Sequence, residues 1–184
     1  MILAVTNQKG GVGKTTTAVN LAAALARVER SVLLIDLDAQ CNATRMLSNR
    51  PQTRTILDVL RSDGTAITAA WPTGRANLML IPGDPGMGAY AVDDQKALRH
   101  ALSDAVGTYR HIIIDCPPSL EGATMMATRT CQEVIVPVQC EYLALEGLAS
   151  LLAALDRAGG APAQRPQVRY LLTMFDVRNN LAAE

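Results

Sequence analysis

The residues best suited to chemistry form a glycine-rich loop close to the first residue of the chain. The loop reads Lys9-Gly10-Gly11-Val12-Gly13-Lys14-Thr15-Thr16. Glycines let the backbone bend around an anion and aim several N–H groups at it, and the positive end of a following helix adds to the attraction. In such a loop we expect Lys14 to reach the β- and γ-phosphates of a nucleotide and the Thr15 hydroxyl to bind Mg²⁺. The sequence therefore predicts a site for a nucleoside triphosphate with Mg²⁺.

Acidic residues follow two apolar segments at positions that favour the same site. Asp36 and Asp38 come at the end of one apolar run and lie two residues apart, so on extended backbone their side chains point the same way. Asp115 ends a run of three isoleucines, and Pro117 then terminates the strand. Ligands of open parallel sheets bind where the strands end, and a carboxylate there can hold Mg²⁺ through water. We expect Asp115 to take that role.

Short apolar runs rich in β-branched residues indicate strands buried on both faces, as a parallel sheet requires. The predicted strands are Ile2–Thr6, Ser31–Leu37, His111–Asp115, Glu133–Val138 and Val168–Thr173, with a further candidate at Asn77–Pro82. Helical patterns lie between them, at Thr15–Val28, Thr55–Arg61, Asp94–Val106 and Leu143–Ala158. This alternation predicts an α/β fold, a doubly wound and mostly parallel sheet with helices on both faces.

Length and composition fit a single cytoplasmic domain. The chain has 184 residues, of which 49% are hydrophobic but only 3% aromatic, so the core is built mainly from Ala, Val, Leu and Ile. With 17 basic and 17 acidic residues, the net charge gives no global sign of nucleic-acid binding. The four cysteines lack the spacing of a zinc or redox motif, which predicts reduced thiols. We expect neither a membrane-spanning segment nor a signal peptide in this sequence.

One departure in the glycine-rich loop points to a family. The standard phosphate-loop motif opens with a glycine where this chain has Gln8. As K-G-G-x-G-K-[ST]-[ST], residues 9–16 instead resemble the deviant Walker A loop of the ParA, MinD and nitrogenase iron protein class of P-loop NTPases. In that class the first lysine, here Lys9, reaches across a dimer interface to the partner's nucleotide. A cation supplied in trans can stabilise the charge on a transferring phosphoryl group.

Residues 36–44 resemble the D-x-D-P-Q-G-N switch I motif of ParA and Soj proteins. By this resemblance Asp38 positions the attacking water, and Asp36 joins Thr15 and Asp115 in supporting Mg²⁺. Lys9, Lys14 and Asp38 are then the predicted catalytic residues. The chain departs from the motif at Ala39 and Cys41, which stand in place of proline and glycine. Loop stiffness, turn geometry and with them the hydrolysis rate are therefore the properties that the resemblance leaves open for this chain.

Two later segments, 137–147 and 171–181, are also similar to elements of Soj-like ParA proteins, so the resemblance covers almost the whole chain. It implies a partition ATPase that uses ATP and Mg²⁺, forms an ATP sandwich dimer and binds DNA non-specifically. A ParB-like partner is expected to stimulate hydrolysis, at the nucleoid in the cytoplasm. We expect residues 1–184 to form one ParA-like P-loop ATPase domain that lacks the family's C-terminal segment, which carries basic residues for DNA. The region 174–180 is a candidate for adenine contact.

Two alternatives remain open at this point. The first is a positioning ATPase of the MinD type, or one that segregates protein clusters, acting on a membrane or on protein cargo. The second is a nucleotide-dependent regulator that dimerises but hydrolyses little ATP, which the departures at Ala39 and Cys41 keep under consideration.

Overall fold

The computed structural model describes residues 1–28, 30–48, 53–91, 96–140, 152–153, 156 and 165–175. Within these residues the strands are β1 Ile2–Val5, β2 Val32–Asp36, β3 Trp71–Pro72, β4 Leu78–Ile81, β5 His111–Asp115, β6 Glu133–Gln139 and β7 Gln167–Thr173. They form one sheet in the order β3-β4-β2-β5-β1-β6-β7. Only β3 is antiparallel to its neighbour; the other described pairs are parallel. The predicted doubly wound, mostly parallel sheet is confirmed.

The described helices are α1 Lys14–Arg27, α2 Asn42–Leu47, α3 Ile56–Leu60, α4 Ala66–Ala69, α5 Ala97–Ala101 and α6 Ala123–Thr130, with a 3₁₀ helix at Pro85–Ala89. The first and third agree with prediction to within one residue at each end. Helix α5 is shorter than the predicted helix, because after Ala101 the chain enters turns that end at Gly107, whose φ is +97°. The helix predicted at 143–158 lies largely outside the described residues.

Alternate residues of each strand face opposite layers of the fold. In β1, Leu3 and Val5 pack with α1, whereas Ile2 and Ala4 pack in the larger core on the other face, which includes α3, α5 and α6. Burial on both faces explains why the strands are continuous runs of aliphatic residues. Helix α1 presents a stripe of small buried residues to the sheet, formed by Ala18, Val19, Ala22 and Ala26.

The sheet order places three strand ends beside the glycine-rich loop. Strand β1 lies between β5 and β6, and the chain goes from β1 to β2 on one side but places β6 and β7 on the other. A crevice opens at the carboxyl ends of the strands where the order in which the chain adds strands to the sheet reverses. The ends of β1, β2 and β5 lie there.

Candidate functional site

The glycine-rich loop connects the end of β1 to the first residue of α1. Gly11 and Gly13 have φ values of +76° and +91°, in the left-handed region that glycine adopts without strain. Gly13 is the N-cap of α1, and its carbonyl accepts the N–H of Thr17 at 2.8 Å. A Cβ on Gly10 or Gly11 would meet no atom within 4 Å, so this side of the loop is open. The loop therefore presents backbone to open space at the N-terminus of a helix, as anion binding requires.

Lys14 is buried at the base of this loop. Its side chain is 7% exposed, and its Nζ donates a hydrogen bond to the Lys9 carbonyl at 2.9 Å. Burial lowers the pKa of Lys14, while the nearby carboxylates of Asp115 and Asp38 raise it. The structure thus brings the predicted lysine and two of the predicted acids into one electrostatic environment.

Asp115 is the most unusual group of the site. It ends β5, pairs with Asp36 across the sheet, and is fully buried, yet neither of its oxygens has a partner in hydrogen-bonding geometry. Burial raises the pKa of Asp115 to about 7. The Thr15 side chain, which is near the carboxylate but outside hydrogen-bonding geometry, lowers this pKa, as does Lys14, whereas Asp36 and Asp38 raise it. A buried carboxylate without partners is costly unless a cation completes its environment. Asp115 and Thr15 therefore fit the Mg²⁺ site that the sequence predicted.

Asp36, its neighbour on β2, has a different environment. Its Oδ2 accepts hydrogen bonds from the Thr44 N–H at 2.9 Å and from the Thr44 hydroxyl at 2.8 Å, and its Oδ1 accepts the Asp38 N–H at 3.2 Å. The Thr44 hydroxyl in turn accepts the N–H of Gly83 at 2.8 Å. Burial raises the pKa of Asp36, whereas the bonds from Thr44 lower it. Asp36 is thus tied to the loop that follows β2; its predicted support of Mg²⁺ stays a prediction.

Gly83 completes this arrangement because it has no side chain. A Cβ at this position would lie 2.9 Å from Asp36 Cγ, closer than real Cβ atoms approach, and 3.1 Å from Cys41 Sγ, closer than most of them do. Neither Gly83 nor the role of Thr44 was identified from the sequence. Their contacts join segments that are 39 residues apart, and no local pattern signals them.

The loop after β2 forms a hydrogen-bonded turn that contains Ala39 and Cys41, its two departures from the family motif. Asp38, 8% exposed, accepts the Gln40 N–H at its Oδ1, and the Cys41 N–H bonds to the Asp38 carbonyl at 2.8 Å. Cys41 adopts a φ of +53°, a conformation suited to the glycine of the motif. Its side chain is buried, and burial raises the pKa of the Cys41 thiol to about 11. Cys41 therefore carries the strain of a left-handed conformation in a residue with a side chain.

The predicted site residues lie together at one edge of the sheet. They are the loop residues Lys9, Gly10, Gly11, Val12, Gly13, Lys14, Thr15 and Thr16, and the carboxylates Asp36, Asp38 and Asp115. Lys9 is half-buried, with its N–H bonded to Asn7 Oδ1 at 3.0 Å. Its predicted role in a partner subunit stays a prediction. The described residues contain no cluster of three or more His, Cys, Asp or Glu side chains suited to a metal ion. A bound Mg²⁺ would therefore need nucleotide oxygens and water as further ligands.

Two side-chain contacts that hold the loop were not predicted. Asn7 Nδ2 donates to the Pro137 carbonyl of β6 at 2.7 Å, and Thr173 Oγ1 donates to the Val12 carbonyl at 3.0 Å. An asparagine at a strand end is a weak signal, and the threonine lies 161 residues from its partner. Such contacts become visible only once the sheet order is known.

This combination defines a class of protein. A parallel sheet, a glycine loop capping a helix, a buried lysine and a strand-end aspartate beside a threonine are the parts of a P-loop NTPase. No helix in the described part of the chain has the length and apolarity needed to cross a membrane.

Comparison with known proteins identifies the family. The family described as an AAA domain matches residues 1–164. The chromosome partitioning protein ParA of Caulobacter vibrioides is 41% identical over 194 aligned positions, which cover all of this chain and 73% of that protein. The sporulation initiation inhibitor protein Soj of Bacillus subtilis is 40% identical, with all of this chain and 76% of that protein covered. The chain belongs to the ParA/Soj family of P-loop ATPases.

Solved structures agree with this fold. Cobyrinic acid a,c-diamide synthase from Mycobacterium smegmatis, with bound ADP and magnesium, is 34% identical with a TM-score of 0.88, covering 99% of this chain and 78% of that one. A putative plasmid partition protein from Borrelia burgdorferi, bound to AMPPNP, is 25% identical with a TM-score of 0.86, covering 99% of this chain and 77% of that one. The adenine nucleotide in both of these neighbours, and the magnesium in the first, are ligands of the type predicted from the sequence.

Proposed function

We propose that this chain binds ATP with Mg²⁺ at the glycine-rich loop and hydrolyses it as the switch of a DNA partition system. The observation that carries the nucleotide part is the fully buried Asp115, whose oxygens lack hydrogen-bond partners beside Thr15 and Lys14. A folded protein retains so costly a group where a ligand completes it. Family membership at about 40% identity supports the partition part.

The residues divide the chemistry among them. When bound, Mg²⁺ neutralises phosphate charge, and Thr15 and Asp115, with Asp36 behind them, are the residues that would hold it. Lys14 supplies a buried positive charge for the β- and γ-phosphates, and the backbone N–H groups at the start of α1 bind their oxygens. Asp38, held in its turn by Gln40, orients the water that attacks the γ-phosphate.

Lys9 is proposed to act in a second subunit. Its backbone is part of the phosphate loop, through the bond from Lys14 Nζ to its carbonyl. An ammonium that enters a partner's site would stabilise charge there, and would make hydrolysis depend on an ATP-bound homodimer. We propose that this dimer binds DNA non-specifically at the nucleoid and that a ParB-like protein stimulates hydrolysis. Residues 1–184 are proposed to form one ATPase domain, which spans 73% of the Caulobacter relative.

Phosphate release in the presence of Mg²⁺–ATP tests the ATPase part. We expect slow turnover in the wild-type chain and loss of turnover in Asp38→Ala, with nucleotide binding retained. Asp63→Ala, at an exposed position of a turn, is the matched control and should behave like wild type. Unchanged turnover in Asp38→Ala would show that the water is positioned by another group.

Sedimentation and DNA binding test the switch. Wild type should dimerise with AMPPNP, and Lys9→Ala should not; an intact dimer in that variant would remove the role of Lys9 in trans. DNA binding should require ATP and should weaken steeply with salt. Binding to liposomes without DNA binding would favour a MinD-like positioning ATPase. Dimerisation with no phosphate release above background would favour a regulator, to which the strained Cys41 turn gives some support.

A further inference from the structure

A side chain at the end of β7, that of Thr173, lies against the phosphate loop. The hydroxyl of Thr173 donates a hydrogen bond to the carbonyl of Val12 at 3.0 Å. Its methyl carbon Cγ2 lies 3.9 Å from the point that a Cβ on Gly13 would occupy. Val12 is only 1% exposed although it stands between glycines, so its carbonyl has a partner from the protein rather than from bulk water. Thr173 thus bonds to Val12 through its hydroxyl, and its methyl group lies on the side of Gly13 where a side chain would project.

The bond to the Val12 carbonyl also sets the direction of the next N–H group. The carbonyl of Val12 and the N–H of Gly13 belong to one planar trans peptide unit, and they point in opposite directions. Fixing the carbonyl toward Thr173 therefore fixes the Gly13 N–H away from it. Gly13, with its φ of +91°, has no side chain to hold this peptide in place. Without the Thr173 hydroxyl, rotation of the Val12–Gly13 peptide unit would be restrained mainly by the adjoining residues of the loop.

The other half of the loop is held in a similar way by Asn7. Its side chain donates to the Pro137 carbonyl at 2.7 Å and accepts the Lys9 N–H at 3.0 Å. Pro137 belongs to β6, which pairs with β7 in an unbroken parallel register that ends where Gln139 meets Thr173. The loop is therefore linked to β6 through Asn7 and to β7 through Thr173, and these two strands are neighbours in the sheet.

We propose that Thr173 is a positioning residue of the phosphate loop, whose hydroxyl orients the Val12–Gly13 peptide so that the Gly13 N–H faces a bound phosphate. This inference rests on the proposed function, because it assumes that a nucleotide binds at the loop. It assigns the effect to the hydroxyl: a side chain of the same shape without a donor fills the space but leaves the peptide free to turn.

Isosteric variants of Thr173 test the inference. Titration calorimetry with Mg²⁺–AMPPNP should give about 3- to 10-fold weaker binding for Thr173→Val, the loss expected for one hydrogen bond. Thr173→Ser keeps the hydroxyl and should bind within about two-fold of wild type, given the same scale for a retained bond. AMP, which lacks the β- and γ-phosphates, should bind all three proteins equally. Thr173→Cys and Thr173→Ser form a second pair, should valine prevent folding, because a thiol is a weak donor.

A matched control separates positioning from general stability. Thr128 in α6 also donates from its hydroxyl to a backbone carbonyl, that of Met125, at 3.0 Å. Thr128→Val should lower the melting temperature as Thr173→Val does, yet leave AMPPNP affinity unchanged. Wild-type affinity in Thr173→Val, or equal weakening in the valine and serine variants, would overturn the inference alone. Failure of the wild-type chain to bind AMPPNP would instead overturn the proposed function, and this inference with it.

Discussion

Replacement of Asp115 by asparagine should stabilise the nucleotide-free protein. Asp115 is fully buried and its oxygens have no hydrogen-bond partners, so its negative charge opposes folding. Burial raises its pKa from 3.8 to about 7. At 1.36 kcal/mol per pKa unit, the difference of about 3 amounts to roughly 4 kcal/mol of lost stability when the group is ionised. Asparagine has nearly the same shape and no charge, so we expect Asp115→Asn to recover about 2–4 kcal/mol at pH 8.

The stability of the wild-type protein should depend on pH through Asp115. The folded state retains a proton on Asp115 that the unfolded state releases, so the free energy of unfolding of the wild type falls as pH rises from about 4 to about 7. Below that window both states are protonated, and above it the full penalty applies. The advantage of Asp115→Asn over wild type should therefore widen by about 2–3 kcal/mol between pH 5 and pH 8.

Asp36→Asn is the control on the adjacent strand. Asp36 is equally buried, but its carboxylate accepts three hydrogen bonds from Thr44 and Asp38. An asparagine there must turn its NH₂ group toward at least one of these donors. That loses a bond to a charged group, which is worth about 1.5–3 kcal/mol. We expect Asp36→Asn to be less stable than Asp115→Asn by roughly this amount, although both remove one buried charge.

Urea denaturation at pH 5 and pH 8, without nucleotide or Mg²⁺, gives the free energy of unfolding of wild type, Asp115→Asn and Asp36→Asn. Mg²⁺–ADP should then stabilise wild type more than Asp115→Asn, because the variant lacks the carboxylate that would meet the cation. Parallel pH profiles for wild type and Asp115→Asn would refute the reasoning, since they would mean that the carboxylate is already compensated in the free protein.

Three further predictions concern the surroundings of the site. Gly83→Ala should lower the free energy of unfolding by about 1–3 kcal/mol in urea denaturation, because the new Cβ would lie 2.9 Å from Asp36 Cγ. Gly88→Ala is the control in the same assay, since its Cβ would meet Ala39 at an ordinary distance of 3.5 Å. Cys41→Gly should be more stable than Cys41→Ala by about 1 kcal/mol, since φ at this position is +53°; equal urea midpoints would argue against left-handed strain. A thiol reagent at pH 8 should modify Cys140 first, because the other three cysteines are buried; a fast phase that survives in Cys140→Ser would contradict this.

Much of the fold could be predicted because the physics of a buried parallel strand is local. The run His111–Asp115 was predicted with the bounds that the structure has, since a strand buried on both faces must be apolar throughout. Strand β3, Trp71–Pro72, was missed, because two residues cannot show a period and proline is unfavourable inside a sheet. Helix α6 was missed as well: threonine makes up much of its sequence and hides the helical pattern.

The same distinction between local and long-range contacts applies to the residues of the site. Lys14, Thr15 and Asp115 follow from short motifs whose chemistry depends on neighbours in sequence. Thr44 and Gly83 act through contacts across tens of residues, which only the sheet order creates. The sequence therefore predicts the groups that we propose to meet a ligand, and the structure was needed to find the residues that hold them in place.

The hydrogen bonds around Asp36 explain how the loop after β2 can hold Cys41 in a left-handed conformation. A left-handed residue with a side chain costs about 1–2 kcal/mol relative to glycine. Against this, Asp36 ties the two ends of the turn together through its bonds to Asp38 and Thr44. Hydrogen bonds to a charged group are each worth about as much as the strain, so the network can impose the turn on a residue that does not prefer it. Mutations of Thr44 should then affect the position of Asp38 more than restoring glycine at Cys41 does.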